Sequence, residues 1–484
     1  MTILDEDRIR TIVQRVVAQM GTGEAATPAL PPASPRPAAR PASAPGVFPD
    51  VEAAIAAATA AQRAWGALTL ERRGEILDAM RQTARDNAAL LARLACEETS
   101  MGRVEDKVQK NLLVANKTPG IEDLQSLVWT GDRGLTLVEP APYGVVGGIT
   151  PITNPTSTII CNAIGILAAG NTTVFNCHPG AKDVSAYTIS LLNRAIVAAG
   201  GPPDTLACPV DPTIASAQAL MRHPGIHLLI VTGGPGVVRE AMLSGQKAIC
   251  AGPGNPPVVV DETADIEQAG RDIVTGAGFD NNLICVLEKE IFAVDAIADD
   301  LKAAMKRHGA VEITSWQLAR LMKVIFQEVR GPREEGVINK AWVGKNAGVI
   351  LKEIGVAAGD EARIVLAEVD ADHPLVWTEQ LMPVIPLVRV RNAGEGIDLA
   401  VAAEGGRGHT AVMHSKHLDH LSRMAREINT TIFIKNGPSL AGLGFGGEGY
   451  TSFSIASPTG EGVTSAKDFS RVRRCTLVDA FRIV

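Results

Sequence analysis

Residues 227–237 read HLLIVTGGPGV. An apolar run over 227–231 is closed by the glycine-rich turn Thr232-Gly-Gly-Pro-Gly236, and a helical pattern starts near Val237. A short apolar run bounded by turn residues and followed by a helix is one strand–turn–helix unit. The unit recurs, because β-branched runs at 145–149, 173–176 and 258–260 alternate with helical stretches. That alternation predicts an α/β fold with a doubly wound parallel sheet and crossover helices. Helical periodicity also covers 50–66 and 70–98, and 431–435 is strand-like. Residues 128–140, VWTGDRGLTLVEP, predict a hairpin around a Gly-Asp turn that projects from the main sheet, a natural place for subunit contact.

Composition bounds the function. At 484 residues the chain exceeds one small core and predicts two or three domains. A hydrophobic content of 46% with 20% charge is ordinary for a globular protein, and 4% aromatics suits helices packed closely on a parallel sheet. A net charge of −7 argues against a nucleic-acid binder, which would show a basic face. The 7 cysteines have no CxxC spacing, and most read as reduced core residues of a cytoplasmic protein. No apolar run reaches the roughly 18 residues of a membrane span, and charges break the N-terminus before a secretory apolar core can form.

Residues 1–20 read as an isolated amphipathic helix: Ile9, Ile12, Val13, Val16, Val17 and Met20 share one face, and Asp5, Glu6 and Asp7 suit the first turn. Residues 21–46 follow as an extended Pro/Ala-rich spacer holding Pro28, Pro31, Pro32, Pro35, Pro37, Pro41 and Pro45. Such a helix either docks on its own domain or enters a groove on another protein.

Three loops have the composition of an active site: Thr150-Pro-Ile-Thr-Asn-Pro155, the 232–236 turn, and FDNNLICV at 279–286. A glycine-rich turn at a helix N-terminus can present backbone N–H groups to a pyrophosphate, and it serves equally as a plain βα turn. Cys285, polar on one side and apolar on the other, suits a buried thiol as well as a reactive one. Two further patterns carry less. GLGFGG at 442–447 matches GxGxxG, yet 450–455 reads as extended where a helix is required. His414, His417 and His420 lack a completing cysteine or carboxylate, which favours solvated helix histidines and no metal site.

In combination, ITPITNPTS at 149–157, FDNNLICVLEKE at 279–290 and GHTAVMHS at 408–415 resemble the aldehyde dehydrogenase superfamily over 47–484. Within it the chain resembles the CoA-acylating branch of propionaldehyde and acetaldehyde type. The resemblance implies two doubly wound Rossmann-type domains with a projecting oligomerisation hairpin. The cofactor-binding domain would span 47–252 with its hairpin at 123–141, and the catalytic domain 253–440. The segment 441–484 would complete the cofactor and oligomerisation regions. Cys285 takes the position of the nucleophile that adds to the aldehyde as a thiolate. Asn154, one place later than in hydrolytic members, is the candidate oxyanion amide. Thr150, Pro151, Thr232, Gly233 and Gly234 fall on the NAD-binding loops, Glu379 on the nicotinamide ribose, and His178 where hydrolytic members hold the adenosine ribose with lysine. His409 is typical of the acylating branch and a candidate proton shuttle. Where hydrolytic members carry the glutamate that activates water, this chain reads Ala251-Gly-Pro-Gly254. The implied acceptor is therefore coenzyme A, with NAD as oxidant and propionaldehyde favoured over acetaldehyde. Ala181 stands where a carboxylate often selects NAD over NADP. The resemblance extends to encapsulation peptides, implying that residues 1–20 bind a bacterial microcompartment shell protein, and that the enzyme is a homodimer or homotetramer without nucleic acid or membrane. The rival readings are a hydrolytic or phosphate-linked dehydrogenase, or a non-catalytic scaffold.

Overall fold

The computed structural model describes residues 44–484; the expected helix over 1–20 and the expected spacer as far as residue 43 lie outside the described residues. Residues 44–46 already belong to the body. The Val47 N–H donates to the Ala44 carbonyl at 3.0 Å, and the Gly46 N–H to Asp204 Oδ1 at 3.2 Å. Helix Val51–Gly66 is capped by Asp50, and helix Leu70–Asp86 by Thr69, each side chain accepting a backbone N–H of the first turn. The single helical run expected over 70–98 is divided at Asn87, where Ala88–Thr99 begins. The Asn87 side chain and its backbone N–H both donate to the Thr83 carbonyl, at 2.8 and 3.2 Å, and at φ −108 and ψ 7 Asn87 leaves the helical region.

Two parallel sheets carry the fold. The first has 6 strands in the spatial order Val47–Phe48, Leu206–Pro209, Thr172–Asn176, Val145–Ile149, Leu228–Thr232, Ala248–Ala251. The chain enters its centre at Val145–Ile149, winds to one side, and crosses over to Leu228–Thr232. The switch point between those two strands is the crevice where such sheets take ligands. The second has 7 strands in the order Ala310–Glu312, Ile364–Glu368, Val384–Val390, Glu290–Val294, Pro257–Val260, Thr410–His414, Ile432–Lys435. The central strands are buried throughout, as covered parallel sheets require, and carry no alternation of buried and exposed positions. Helix Pro155–Ala168 is buried along its whole length. It packs against the indole of Trp65, whose Nε1 donates to the Leu167 carbonyl at 3.1 Å.

The predicted hairpin is present. Leu127–Gly131 pairs antiparallel with Gly134–Pro142, closing at Gly131 opposite Gly134 around Asp132-Arg133. Gly134 has φ +109, a conformation that favours glycine. The sequence pattern did not reveal that Ser470–Val478 adds a third strand, running from Ser470 opposite Pro142 to Val478 opposite Gly134. After Gly442–Gly447 no α-helix follows among the described residues; a 3-10 turn, Ser439–Leu443, includes the first of the glycines, and a short strand, Ile455–Ala456, comes after them. The histidine triplet differs from expectation. His414 ends a strand and is buried, while His417 and His420 stack at 3.9 Å, and His420 Nδ1 lies 2.9 Å from Asp261.

Candidate active site

The site lies where the carboxyl ends of the first sheet meet the amino ends of the second. Ile149 pairs with Val231 and with Asn176, so Thr150, Thr232 and His178 emerge from three neighbouring strands. The Thr150 hydroxyl is buried and has no hydrogen-bond partner among the described residues. Thr232 Oγ1 lies 2.7 Å from Ser454 Oγ, which donates to Asn162 Oδ1 at 3.1 Å. The Gly233 N–H donates to the Ala251 carbonyl at 3.1 Å. Gly234 is the N-cap of helix Pro235–Met242, and a Cβ at Gly234 or Gly236 would meet no atom within 4 Å. An open helix N-terminus beside an unpaired hydroxyl fits the pyrophosphate of a dinucleotide. Pro151 follows Thr150 directly. The exposed His178 accepts from the Gly180 N–H at 3.0 Å through Nδ1, and desolvation with the Lys340 charge holds its imidazole below the usual range.

The second group sits just ahead of four adjacent strands. Glu379 precedes Val384–Val390, Cys285 precedes Glu290–Val294, Gly254 precedes Pro257–Val260, and His409 precedes Thr410–His414. Gly254 shows how closely they approach: a Cβ there would stand 2.7 Å from the Cys285 carbonyl and 2.9 Å from His409 Cγ. Glu379 Oε1 accepts from the Gly254 N–H at 3.4 Å. The half-buried Cys285 has its thiol pushed up to about 12, first by burial and then by the Glu379 carboxylate, with Lys289 pulling the other way. His409 is buried; its N–H donates to Glu404 Oε1 at 2.8 Å, and Nδ1 lies 2.9 Å from Thr410 Oγ1. Its Nε2 has no partner among the described residues. Burial first, then the Lys289 and Arg407 charges, bring the imidazole down to about 3, so the ring is neutral.

The turn before Cys285 has an unusual backbone. Asp280, Asn281 and Asn282 take φ of 45, 54 and 65 in succession, a left-handed run that Asp and Asn tolerate better than other side chains. Each is fully buried and tied down. Asp280 pairs with Lys107 at 3.0 Å and with Lys110. Asn281 accepts from Arg103 Nε at 2.9 Å, and Asn282 donates to the Ala277 and Glu288 carbonyls at 2.9 and 3.0 Å. Lys110 also donates to Asn154 Oδ1 at 2.6 Å. Asn154 therefore reaches the nucleophile turn through Lys110 and Asp280 rather than directly, with its amide oxygen fixed and its N–H₂ turned the other way. One N–H is taken by Thr153 Oγ1 at 3.1 Å.

Sequence reasoning did not single out Lys110, Asp280, Lys289 or Glu404. The signal was present for one of them: Glu288-Lys289-Glu290 interrupts apolar sequence on both sides, and charges so placed are either a solvated edge or a buried cluster. All three are fully buried.

A cysteine, an unpaired imidazole and a switch-point crevice suited to a dinucleotide make up the acyl-transferring oxidoreductase class. The chain belongs to the Aldehyde dehydrogenase family, whose sequence pattern matches residues 24–317. It is 52% identical to an acetylating acetaldehyde dehydrogenase of Salmonella typhimurium over 84% of this chain and 87% of that one. The solved propionaldehyde dehydrogenase from the Clostridium phytofermentans fucose utilisation bacterial microcompartment is 46% identical, with a TM-score of 0.88 over 91% of this chain and 100% of that one. Rhodopseudomonas palustris propionaldehyde dehydrogenase, solved with bound CoA and an acylated cysteine, is 47% identical with a TM-score of 0.88, covering 91% of this chain and 99% of that one.

Proposed function

We propose that this chain oxidises a short-chain aldehyde, propionaldehyde or acetaldehyde, to its acyl-CoA with NAD as oxidant, Cys285 carrying the covalent chemistry. The observation that carries the choice of acceptor is Ala251. It ends the last strand of the first sheet and is followed by the connection that reaches Cys285 and His409, and it offers no base to water. A thiol needs less help than water to attack a thioester, so coenzyme A takes the acyl group. The relatives named for acetaldehyde and propionaldehyde support the substrate class, and the relative with bound CoA and an acylated cysteine supports the intermediate.

The Cys285 thiolate adds to the carbonyl carbon to give a thiohemiacetal, its oxyanion held by the Cys285 N–H and the remaining N–H of Asn154. Thr150, Pro151, His178, Thr232, Gly233, Gly234 and Glu379 hold the dinucleotide. The nicotinamide, when bound, supplies the hydride acceptor. His409 Nε2 takes the proton of the CoA thiol, and the CoA sulfur displaces Cys285 as thiolate. Each step is reversible, so the enzyme also reduces acyl-CoA.

Residues 47–252 hold the cofactor, 253–440 the nucleophile, and 441–484 completes both cofactor and subunit contacts. The three-stranded sheet leaves Leu127, Trp129 and Val472 exposed, which supports its use between subunits of a homodimer or homotetramer. Sedimentation at equilibrium distinguishes these, and a monomer would remove the assignment. Residues 1–20 bind a microcompartment shell protein and place the enzyme in that cytoplasmic body. Among the described residues no helix is long and apolar enough to cross a membrane.

The deciding experiment measures product with CoA, with phosphate, and with neither. Acyl-CoA at steady turnover is expected with CoA, and about one NADH per site without it. Steady release of free acid at a comparable rate would overturn the argument from Ala251.

A further inference from the structure

Lys289 lies immediately before the strand Glu290–Val294 and is fully buried. Its Nζ donates to the Asn282 carbonyl at 3.1 Å, to the Ile284 carbonyl at 3.3 Å, and to Asn282 Oδ1. Three acceptors need three donors. An ammonium has three N–H bonds and a neutral amine only two, so this pocket specifies the charged form. All three acceptors belong to the turn that delivers Cys285. We propose that Lys289 is a positioning residue for the nucleophile: it pins the left-handed turn through both carbonyls and is the fixed positive charge that favours the Cys285 thiolate. This deepens the Cys285 reading and rests on it.

Burial lowers the Lys289 ammonium from its usual range, and the charged and titratable groups that oppose this are Glu379, Cys285, Glu290 and Glu288. Burial pushes the carboxyls of Glu288, Glu290 and Glu379 all above the usual carboxylate range, that of Glu288 up to about 7. The Lys289 charge, with Arg407, opposes protonation of His409. One buried lysine thus favours an anion on sulfur and a neutral imidazole, the pairing that acyl transfer to a thiol requires.

The test is the rate of iodoacetamide alkylation at Cys285 between pH 7 and 9 in the full-length protein, read by peptide mass spectrometry beside steady-state kinetics. Below the thiol's pKa that rate follows the thiolate fraction, so Lys289→Met should lower it about tenfold or more at each pH, and lower kcat at neutral pH about tenfold with a smaller change in aldehyde KM. Activity should recover as pH rises, which a misfolded turn would not show. Lys289→Gln, which keeps N–H donors without the charge, should give the same loss. An unchanged alkylation rate in either folded variant overturns the proposal. If neither folds, Lys289→Arg, which keeps the charge, should alkylate within about threefold of the wild type, and a tenfold slower rate there overturns it equally. Cys285→Ala separates the two ideas. Turnover in that variant would end the nucleophile reading itself, whereas its loss beside an unmoved Lys289 profile would remove only the lysine.

Discussion

At His409 two features combine: an Nε2 without a partner and an imidazole brought down to about 3. A histidine near its ordinary value of about 6.5 would give an ascending limb in the acyl-transfer rate between pH 5 and 8. His409 is neutral across that whole interval, so single-turnover transfer to CoA should be flat there. His409→Ala should leave the first NADH burst intact and slow transfer by about 100-fold or more, the range of a lost general base. The residual rate should then climb about tenfold per pH unit with thiol ionisation. A wild-type profile that breaks near pH 6.5 would show the imidazole to be more exposed than it is here.

The strands and turns were the most legible elements. The strand expected at 145–149 matches Val145–Ile149, and the runs at 173–176, 227–231 and 258–260 fall within a residue of observed strands. Covered parallel strands announce themselves as apolar runs, and Thr232-Gly-Gly-Pro-Gly236 closes one of them and caps a helix, as its composition implied. What could not be read was long-range. Nothing near Val472 says that Ser470–Val478 completes a sheet begun at Leu127, because an exposed strand carries little hydrophobic pattern. Nor does sequence place Lys110 against Asn154, since that meeting depends on how two helices dock. Among site residues, Cys285, Glu379 and His409 do gather, while Asn154 is reached only through the Lys110–Asp280 pair. The N-terminal segment yields its own prediction. Because Gly46 and Val47 are hydrogen-bonded into the body, the cut belongs before Ala44. Deleting residues 1–43 should leave kcat within about twofold, since the removed stripe could bury only an exposed amphipathic face elsewhere. It should also release the enzyme from purified shells in a co-sedimentation assay. Loss of turnover on truncation would place the segment in the catalytic body.

Over the whole molecule, buried carboxyls set how stability follows pH. Glu288 accepts from the Ser439 N–H and hydroxyl, both at 2.7 Å, yet burial pushes its carboxyl up to about 7. An unfolded glutamate titrates near about 4.3. Between those values the folded protein binds the extra proton, so stability should fall as pH rises through that window and level off above it. The loss from Glu288 amounts to at most about 4 kcal/mol, and the raised Glu290 acts in the same direction. The buried imidazoles of His409 and His414, held at about 3 and about 4, act in the opposite direction below about pH 6.5. The Glu288 share is therefore read by urea unfolding of Glu288→Gln beside the wild type: from pH 5.5 to pH 8 the variant's midpoint should move upward relative to the wild type's, and parallel midpoints would locate the titration elsewhere.

A glutamate codon can lie a single nucleotide from an alanine codon, so water-using chemistry is a short mutational step from Ala251. Packing makes it a long one. Ala251 is buried and its carbonyl already holds Gly233. A Cβ at Gly252 would stand 3.0 Å from Pro458, and one at Gly254 would press on the Cys285 carbonyl. A carboxylate introduced at 251 would enter a buried position beside two glycines whose surroundings leave little room for a Cβ. A lineage reaches hydrolysis only by widening that stretch first, so the acceptor is inherited as the shape of a loop and not as the identity of one side chain.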